Sequence, residues 1–395
     1  MKIFYLLSRI PYPIDKGDKL RAYHQLRILS RNHEIYLFAL NDETNISVEH
    51  DELKKISVKY FIKHLTKLDI LISLLKGFFS DLPFQTSYFN SKKTQSLVKN
   101  ELLKFQPDLI VCQLIRMAEY VPDSIQAPQI IDYIDVLSKG LERRKSNSNF
   151  LMKPIFRSEY KRVLKYEEQV FNRFNNGVII TENDRNALPF NRKNEVKVIP
   201  NGIDFNHFYP LDKPKDIDLV FAGNMSYPPN IDAVEFIVKK VLPILKLSSS
   251  DIKFYIVGAS PARRVKKLAN ENVIVTGWVN DIRDYYARSK VFVAPMQIGT
   301  GLQNKILEAM SMSLPCIVSS LAQGGIQAEN NKNIFVADDP VKISELIILL
   351  LSNEKLRNSV GENAREFIVN NYDWEKIIDN FDKYLSSLVN KNKTL

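Results

Sequence analysis

The chain has 395 residues, of which 45% are hydrophobic and 25% are charged, as is typical of a globular protein with more than one domain. Its 5 histidines are scattered singly, and its 2 cysteines, Cys112 and Cys316, lie in apolar runs. These features exclude a zinc site with the usual ligand spacing. They indicate buried, reduced thiols rather than a disulfide.

The net charge of +10 suggests an anionic partner. We expect no nucleic acid, because no binding motif accompanies the charge, and Tyr and Phe are not interleaved with the basic runs as a stacking platform. The remaining candidates for an anionic partner are small molecules and a membrane surface. The apolar run at residues 1–13 is too short for a secretory signal, and no run reaches the ~20 residues that cross a bilayer. We therefore expect a cytoplasmic protein, with a peripheral position on the inner face of the cell membrane left open.

The first half of the chain alternates apolar strands with helical or polar segments. A helix is predicted at 18–31, where Leu20, Tyr23, Leu26 and Leu29 have helical spacing. Strands are predicted at 2–8, 34–40, 108–114, 129–136, 177–183 and 196–200.

The alternation starts again after residue 216. Strands are predicted at 218–223, 252–258, 273–279, 290–296, 315–320 and 334–338, and helices at 230–245 (capped by Asn230), around 261–269, at 281–289, from near Leu302, and as two closing helices. Apolar strands that alternate with helices predict parallel sheets covered on both faces. The fold expected is α/β, with two Rossmann-like doubly wound domains facing across a cleft. They would comprise residues 1–201, with a C-terminal helix at 372–395 packed back on them, and residues 202–371.

The segment 299-GTGLQNKILEAMSMSLPCIVSS-320 combines a glycine-rich turn with a helix and a strand. The first amide groups of a helix attract phosphate, and Lys305 adds a positive charge there. Glu308, three residues on, can accept hydrogen bonds from a ribose diol. Together they indicate a nucleotide site, although an ordinary surface ion pair between Lys305 and Glu308 explains the spacing equally well.

This segment resembles the signature of the family-four retaining glycosyltransferases, which have the GT-B fold. The segments 9-RIPYPIDKGDKLRAYHQL-26 and 221-FAGNMSYPPNIDA-233 are similar to a subgroup associated with bacterial exopolysaccharide synthesis. The resemblance extends over essentially the whole chain, and the three motifs occur in the expected order.

The resemblance implies a nucleotide-diphospho-sugar donor and assigns roles to residues. Lys305 and Asp135 are the expected catalytic residues. The expected donor-binding residues are Gly17, Lys19, Asn224, Gly258, Val279, Thr300, Gly301, Leu302, Lys305 and Glu308. Two positions depart from the family pattern, since Thr300 replaces a glutamate and Ile134 replaces a histidine that contacts the sugar in relatives.

Several of these residues also have a structural interpretation. Lys16, Lys19 and Arg21 can form a solvated basic face, and Asp135 can cap the following segment. Asp132 precedes it in the same strand, where a charge needs a partner or a function. Trp278 is as consistent with a core position as with stacking on a base.

The segment 60-YFIKHLTKLDILISLLKGFF-79 places apolar residues among lysines. This pattern fits an interfacial amphipathic helix and fits an ordinary packed helix equally well. We therefore expect membrane contact through 60–79 as one possibility that a lipid-linked acceptor would make useful.

The function expected from the resemblance is transfer of a sugar, with retention, from a UDP- or GDP-sugar to a saccharide or lipid-linked acceptor in cell-surface polysaccharide synthesis. No cofactor and no metal are expected, since 281-DIRD-284 begins a helix instead of forming a metal motif at a strand end. The alternatives are an epimerase or hydrolase on the same fold, a non-catalytic nucleotide-sugar-binding subunit and, from charge alone, a nucleic-acid-binding protein.

Overall fold

The computed structural model describes residues 1–42, 50–147, 152–247, 251–299 and 301–393. The chain divides into two compact units. Unit 1 comprises Met1–Pro200 and Glu375–Leu395, and unit 2 comprises Asn201–Trp374. Thr300, one of the expected donor-binding residues, lies outside the described residues.

The described part of unit 1 contains a sheet of seven parallel strands in the order β3-β2-β1-β4-β5-β6-β7. The strands are β1 (Lys2–Leu7), β2 (Glu34–Asn41), β3 (Lys59–His64), β4 (Leu109–Gln113), β5 (Gln129–Asp132), β6 (Gly177–Ile179) and β7 (Lys197–Val198). The order reverses between β1 and β4. In open parallel sheets, such a reversal leaves a crevice at the carboxyl ends of the strands, where ligands bind.

The central strands of unit 1 are apolar because they are covered on both faces. In β1 and β2 the residues from Ile3 to Leu7 and from Ile35 to Leu40 are all buried, and Ile3 pairs with Ile35. The helices of this unit are α1 (Gly17–Leu29), α2 (His50–Ile56), α3 (Lys67–Phe78), α4 (Phe84–Phe89), α5 (Lys92–Phe105), α6 (Leu137–Asn147), α7 (Lys153–Phe174) and α8 (Glu182–Ala187). Short 3₁₀ helices occur at Ile115–Tyr120 and Asn191–Glu195.

The described part of unit 2 contains a sheet of six parallel strands in the order β10-β9-β8-β11-β12-β13. They are β8 (Ile217–Ala222), β9 (Phe254–Val257), β10 (Val273–Gly277), β11 (Ser289–Ala294), β12 (Cys316–Val318) and β13 (Phe335–Val336). The reversal here lies between β8 and β11. The carboxyl ends of these two strands therefore mark the expected ligand crevice of unit 2.

Helices connect the strands of unit 2. They are α9 (Pro228–Phe236), α10 (Leu242–Leu245), α11 (Arg263–Lys266), α12 (Ile282–Arg288), α13 (Asn304–Ser311), α14 (Ser320–Gln323), α15 (Pro340–Ser352) and α16 (Glu354–Asn371), and a π-helical turn at Ile237–Val241 joins α9 to α10. Within the described residues three helices follow β13, instead of the two predicted, and the last is α17 (Trp374–Lys393). From Glu375 onward α17 belongs to unit 1, where Arg31 forms an ion pair of 2.6 Å with Glu375.

The prediction of one amphipathic helix over 60–79 is wrong in its first part. Residues Lys59–His64 form the edge strand β3, paired with β2, and only Lys67–Phe78 is helical. Thr66 begins the helix, because its side chain accepts the amide of Asp69 while the Asp69 carboxylate accepts the amide of Thr66.

Two predicted helix starts are also corrected. The helix predicted to begin near Leu302 begins at Asn304, so Gly301 and Leu302 belong to the preceding loop. Asn230 is not a cap, because α9 already begins at Pro228, and proline favours the first helical position. This shift places the Asn230 side chain inside the helix, where it has a different partner.

Candidate functional site

The loops after the strands of unit 2 meet at one edge of its sheet, since the carboxyl ends of parallel strands lie together. Gly223 and Gly258, which follow β8 and β9, have φ values of +152° and +140°. A Cβ on Gly258 would lie 1.9 Å from the carbonyl oxygen of Gly223. Only glycine therefore fits at position 258, and it brings the two strand ends into direct contact.

A cavity of ≈ 250 Å³ opens at this edge. Its lining residues are Ala222, Gly223, Gly258, Ala259, Trp278, Val279, Ile282, Tyr286, Lys305 and Glu308. Four residues predicted to bind the donor are therefore brought together, namely Gly258, Val279, Lys305 and Glu308. The cavity combines glycine-rich backbone with one amine, one carboxylate and one phenol, as small-molecule sites commonly do.

The ammonium group of Lys305 is held by side chains from two other elements. Its Nζ donates a hydrogen bond to the Oδ1 atom of Asn230 and lies 4.8 Å from the centre of the Phe221 ring. Asn230 is itself fixed, since its Nδ2 donates to the carbonyl oxygen of Asn224 over 2.9 Å. Burial lowers the pKa of Lys305 to about 7, and the nearby Glu308 carboxylate opposes this shift. An anion in the cavity would favour the charged form of this lysine.

Glu308 has a separate partner. The hydroxyl of buried Tyr286, on α12, donates a hydrogen bond of 3.0 Å to its Oε2 atom. Burial raises the pKa of Glu308, whereas the Tyr286 hydrogen bond and the charge of Lys305 lower it. Among the ion pairs of the described residues, none joins Lys305 to Glu308. These two side chains are therefore not held by the surface ion pair that their spacing in the sequence also allows.

The glycine-rich turn before α13 is bent as its composition predicts. Gly299 and Gly301 have φ values of +116° and +84°. Gln303 precedes the helix without capping it through its side chain. The amide of Ile306 donates to the carbonyl oxygen of Gln303 over 2.9 Å, so the anion-binding character expected of this helix end rests on the amide groups before it.

Three residues of unit 2 that are predicted to bind the donor do not line the cavity. Gly301 and Leu302 do not line the cavity, and Asn224 uses its Oδ1 atom to accept the Ser226 amide over 2.9 Å. Trp278 is 70% exposed at the rim, so the core position considered for it is wrong. Its ring is available for stacking.

In unit 1, α1 carries Gly17, its first residue, and Lys19. A Cβ on Gly17 would meet no atom within 4 Å, so packing does not demand glycine there. The Lys19 side chain is only 1% exposed, and its Nζ lies 2.9 Å from the Asp15 carboxylate. The alternative interpretation of Lys19 and Arg21 as part of a solvated basic face is wrong, since both are buried.

Asp132 has a structural partner instead of a free carboxylate. It is fully buried, and its Oδ2 accepts hydrogen bonds from Arg21 Nε over 2.7 Å and from Gln25 Nε2 over 3.0 Å. Arg21 also donates to the carbonyl oxygen of Ile199 over 2.8 Å. This network ties β5, α1 and the end of β7 together.

Asp135 follows β5 and is only partly buried. The amide of Ser138, in the first turn of α6, donates over 3.1 Å to Glu167 of α7, which is fully buried. The Glu167 carboxylate therefore accepts an amide of the first turn of α6, although it lies on a different helix. Burial raises the pKa of Glu167 to about 7. Ile134, next to Asp135, has a φ of +64°, which is strained for a β-branched residue.

Sequence reasoning missed Tyr286 and Arg116, and it assigned Asn230 only to a helix start. Tyr286 and Asn230 position Glu308 and Lys305, and neither has a local sequence signal for this role. Arg116, after β4, has an Nε atom that is buried without a hydrogen-bond partner among the described residues, and its guanidinium lies 5.2 Å from the centre of the Phe89 ring. Burial lowers the pKa of Arg116, as does nearby Arg9, while Asp18 and Asp135 raise it.

Comparison with solved structures gives the fold. Sucrose-phosphate synthase from Thermosynechococcus elongatus superposes with a TM-score of 0.70 at 14% identity, covering 98% of this chain and 99% of that one. Anabaena HepE, solved in complex with UDP, gives a TM-score of 0.71 at 15% identity, covering 98% and 100%. The two parallel sheets and these likenesses establish the GT-B fold.

Sequence comparison finds similarity to glycosyltransferases. Residues 216–353 match the model described as glycosyl transferases group 1. A Klebsiella pneumoniae relative, described as an uncharacterized 44.6 kDa protein in cps region, is 24% identical over 97% of this chain and 99% of its own length. The UDP-Gal:alpha-D-GlcNAc-diphosphoundecaprenol alpha-1,3-galactosyltransferase of Escherichia coli is 27% identical over 50% of this chain and 56% of its own. The match of residues 216–353 to this model and the GT-B fold together confirm the resemblance to glycosyltransferases drawn from the three motifs.

Proposed function

We propose that this glycosyltransferase moves a sugar, with retention, from a nucleotide-diphospho-sugar to a saccharide or lipid-linked saccharide in cell-surface polysaccharide synthesis. The single observation that carries the proposal is the cavity at the reversal point of unit 2, where Lys305 and Glu308 lie together on the first two turns of α13. The Lys305 ammonium group suits the diphosphate of a nucleotide, and the Glu308 carboxylate suits its ribose hydroxyl groups.

Each group has a chemical role in this proposal. Glu308, oriented by Tyr286, accepts hydrogen bonds from the ribose hydroxyl groups. Lys305 and the first amide groups of α13 neutralise the diphosphate as it leaves the sugar. Trp278 stacks on the base, and the backbone at Val279 contacts the base edge. For unit 1 the expected roles stay predictions: Gly17 and Lys19 for the donor diphosphate, although the Lys19 side chain is buried beside Asp15, and Asp135 for the sugar or the acceptor.

A uridine nucleotide is the first donor to test. HepE has been solved with UDP-glucose and with UDP, and the Escherichia coli relative is described as using UDP-Gal. We propose a UDP-sugar donor, with a GDP-sugar as the competing choice. The acceptor is proposed to be lipid-linked at the inner face of the membrane, as the diphosphoundecaprenol in the name of that relative suggests.

We also propose that transfer requires no metal ion. The proposal depends on Lys305, which supplies a positive charge where a metal-dependent enzyme would use a cation. Activity should be the same in buffer with EDTA and in buffer with added Mg²⁺ or Mn²⁺. A rate that falls at least tenfold in EDTA and returns with either metal would contradict this part.

The function is tested by incubating the purified chain with UDP-, GDP- and dTDP-sugars, with and without a lipid-diphosphate-linked saccharide. We expect product only when both substrates are present, with the anomeric configuration of the donor retained in the NMR coupling constant. Lys305→Met should lower kcat by roughly 10²–10³-fold. Lys290→Met is the matched control, because Lys290 pairs with Asp218 over 2.8 Å and does not line the cavity.

The competing functions give other results in the same experiment. Donor consumption without acceptor would indicate a hydrolase or epimerase. Nucleotide-sugar binding without turnover of any donor would indicate a non-catalytic subunit. DNA binding that weakens steeply with salt, with no nucleotide-sugar binding, would indicate a nucleic-acid-binding protein. Each of these would contradict the proposal.

A further inference from the structure

Helix α3 of unit 1 presents its most apolar side to the outside. Its residues recur at spacings of three and four, which places them in one stripe along the helix. The stripe consists of Leu68, Leu71, Ile72, Leu75, Phe78 and, directly after the helix, Phe79, with exposures of 64%, 55%, 41%, 58%, 64% and 87%. A contiguous stripe of large apolar side chains on a surface marks an interaction site.

The opposite side of α3 fixes this orientation. The carbonyl oxygen of Gly77 accepts a hydrogen bond of 2.9 Å from Arg162 of α7, and the Ser73 hydroxyl donates to the carbonyl oxygen of Asn90 over 2.6 Å. A Cβ at Gly77 would lie 2.3 Å from the Ser87 hydroxyl oxygen, so α3 and α4 are in direct contact there. The helix therefore cannot turn its apolar stripe inward without breaking these contacts.

Basic side chains border the stripe. Lys67 and Lys76 lie on α3 itself, and both are exposed. A cavity of ≈ 330 Å³ beside the helix is lined in part by Ile72, Lys76, Lys92 and Lys93. Asp69 also lines this cavity, but its carboxylate accepts hydrogen bonds from the amide and hydroxyl of Thr66.

We propose that the α3 stripe docks unit 1 on the surface of an anionic phospholipid bilayer. The six apolar side chains would enter the interfacial layer, and Lys76, Lys92 and Lys93 would bind a phospholipid headgroup phosphate in the adjacent cavity. Unit 1 would contact the bilayer from one side, without crossing it. Within the parts of the chain that the structure describes, no helix is both long and apolar enough to cross a bilayer.

Charge favours a bilayer over a second copy of the chain. In a two-fold dimer the same patch meets itself, so the lysines around one stripe would approach those around the other. Such like-charge contacts oppose association, whereas an anionic lipid surface neutralises all of them at once.

The test measures vesicle binding of the full chain without donor or acceptor, so it succeeds or fails independently of the proposed transfer reaction. Co-sedimentation uses vesicles of phosphatidylcholine alone and vesicles with phosphatidylglycerol. We expect the wild type to bind the anionic vesicles. Leu71→Glu combined with Leu75→Glu should weaken binding at least tenfold, since burial of even one leucine contributes that factor. The control is Leu103→Glu on α5, where Leu103 is 56% exposed, and it should bind as the wild type does.

A second variant tests the headgroup site. Replacing Lys76, Lys92 and Lys93 by glutamine should weaken binding to anionic vesicles by roughly 100-fold, because each lysine near an anionic surface contributes about a factor of five. Circular dichroism and thermal unfolding would verify that each variant is folded. Absence of wild-type binding to anionic vesicles, or unchanged binding of the Leu71/Leu75 variant, would overturn the proposal. So would a wild-type dimer in size-exclusion chromatography that this variant converts to a monomer, because the stripe would then cover a second copy.

Discussion

Tyr286 donates a hydrogen bond of 3.0 Å to Glu308, and so a side chain on α12 sets the position of the carboxylate on α13. Lys305, on the same helix end, is held by Asn230 of α9. Three helices of unit 2 thus fix one carboxylate and one ammonium group at the same cavity. Because neither group satisfies the other, both remain available to a ligand.

The first prediction concerns the phenol that orients Glu308. Tyr286→Phe removes the donor and leaves the half-buried Glu308 carboxylate with one hydrogen bond fewer, which costs about 1–3 kcal/mol. Nucleotide affinity should fall roughly 5- to 100-fold in isothermal titration with UDP. Tyr285→Phe is the control, because Tyr285 packs near Tyr255 and does not line the cavity. Equal effects of the two variants would contradict a positioning role for Tyr286.

The second prediction concerns the pH dependence of stability. The folded pKa of Lys305 is lowered to about 7 from its ordinary 10.5. The neutral amine is therefore favoured by folding, and its contribution is complete above pH 10.5 and is lost as pH falls toward 7. The difference in free energy of unfolding between wild type and Lys305→Met should change across this window and be constant below it. A difference that does not change with pH would contradict the lowered pKa.

The third prediction concerns the pH dependence of binding. A diphosphate in the cavity favours protonated Lys305, so binding of UDP should take up a proton above pH 7. Titrations in two buffers with different ionisation enthalpies measure this uptake directly. We expect proton uptake near pH 8 in the wild type and none in Lys305→Met. Equal uptake by both proteins would assign the proton to another group.

The fourth prediction separates the two aspartates that lie close together in sequence. Asp132→Asn leaves Arg21 buried without its charge partner, so the free energy of unfolding should fall by about 3–5 kcal/mol in urea denaturation. Asp135→Asn, at a partly exposed site, should change stability by about 1 kcal/mol or less while transfer slows at least tenfold. If Asp135→Asn destabilises the chain as much as Asp132→Asn does, Asp135 is structural.

The alternation of apolar strands with helices was sufficient to predict the two parallel sheets. It failed at β3, because this edge strand is only partly buried and contains Lys59, Lys63 and His64. Because of these polar residues, β3 lacks the continuous apolar run of a central strand. The apolar stripe of α3 follows it directly in the sequence. The prediction therefore extended one helix across both elements.

Spacing along the sequence predicts which residues belong to the site, but it does not predict which residues they contact. Lys305 and Glu308 were identified from a single helix start, and the structure places both in the cavity. Their partners Asn230 and Tyr286 lie 75 and 22 residues away in the chain. Such pairs arise from the order of strands in the sheet, which short-range patterns do not contain. Ile134 is another example, because nothing in its neighbourhood predicts a positive φ for a β-branched residue.

The central claim, that Lys305 binds the diphosphate and Glu308 the ribose, is tested most directly by comparing UDP with uridine. Isothermal titration would measure both ligands on wild type, Lys305→Met and Glu308→Gln. We expect Lys305→Met to weaken UDP at least tenfold while leaving uridine nearly unchanged, and Glu308→Gln to weaken both by a similar factor. If Lys305→Met weakens both ligands equally, or if neither variant changes UDP binding, the assignment is contradicted.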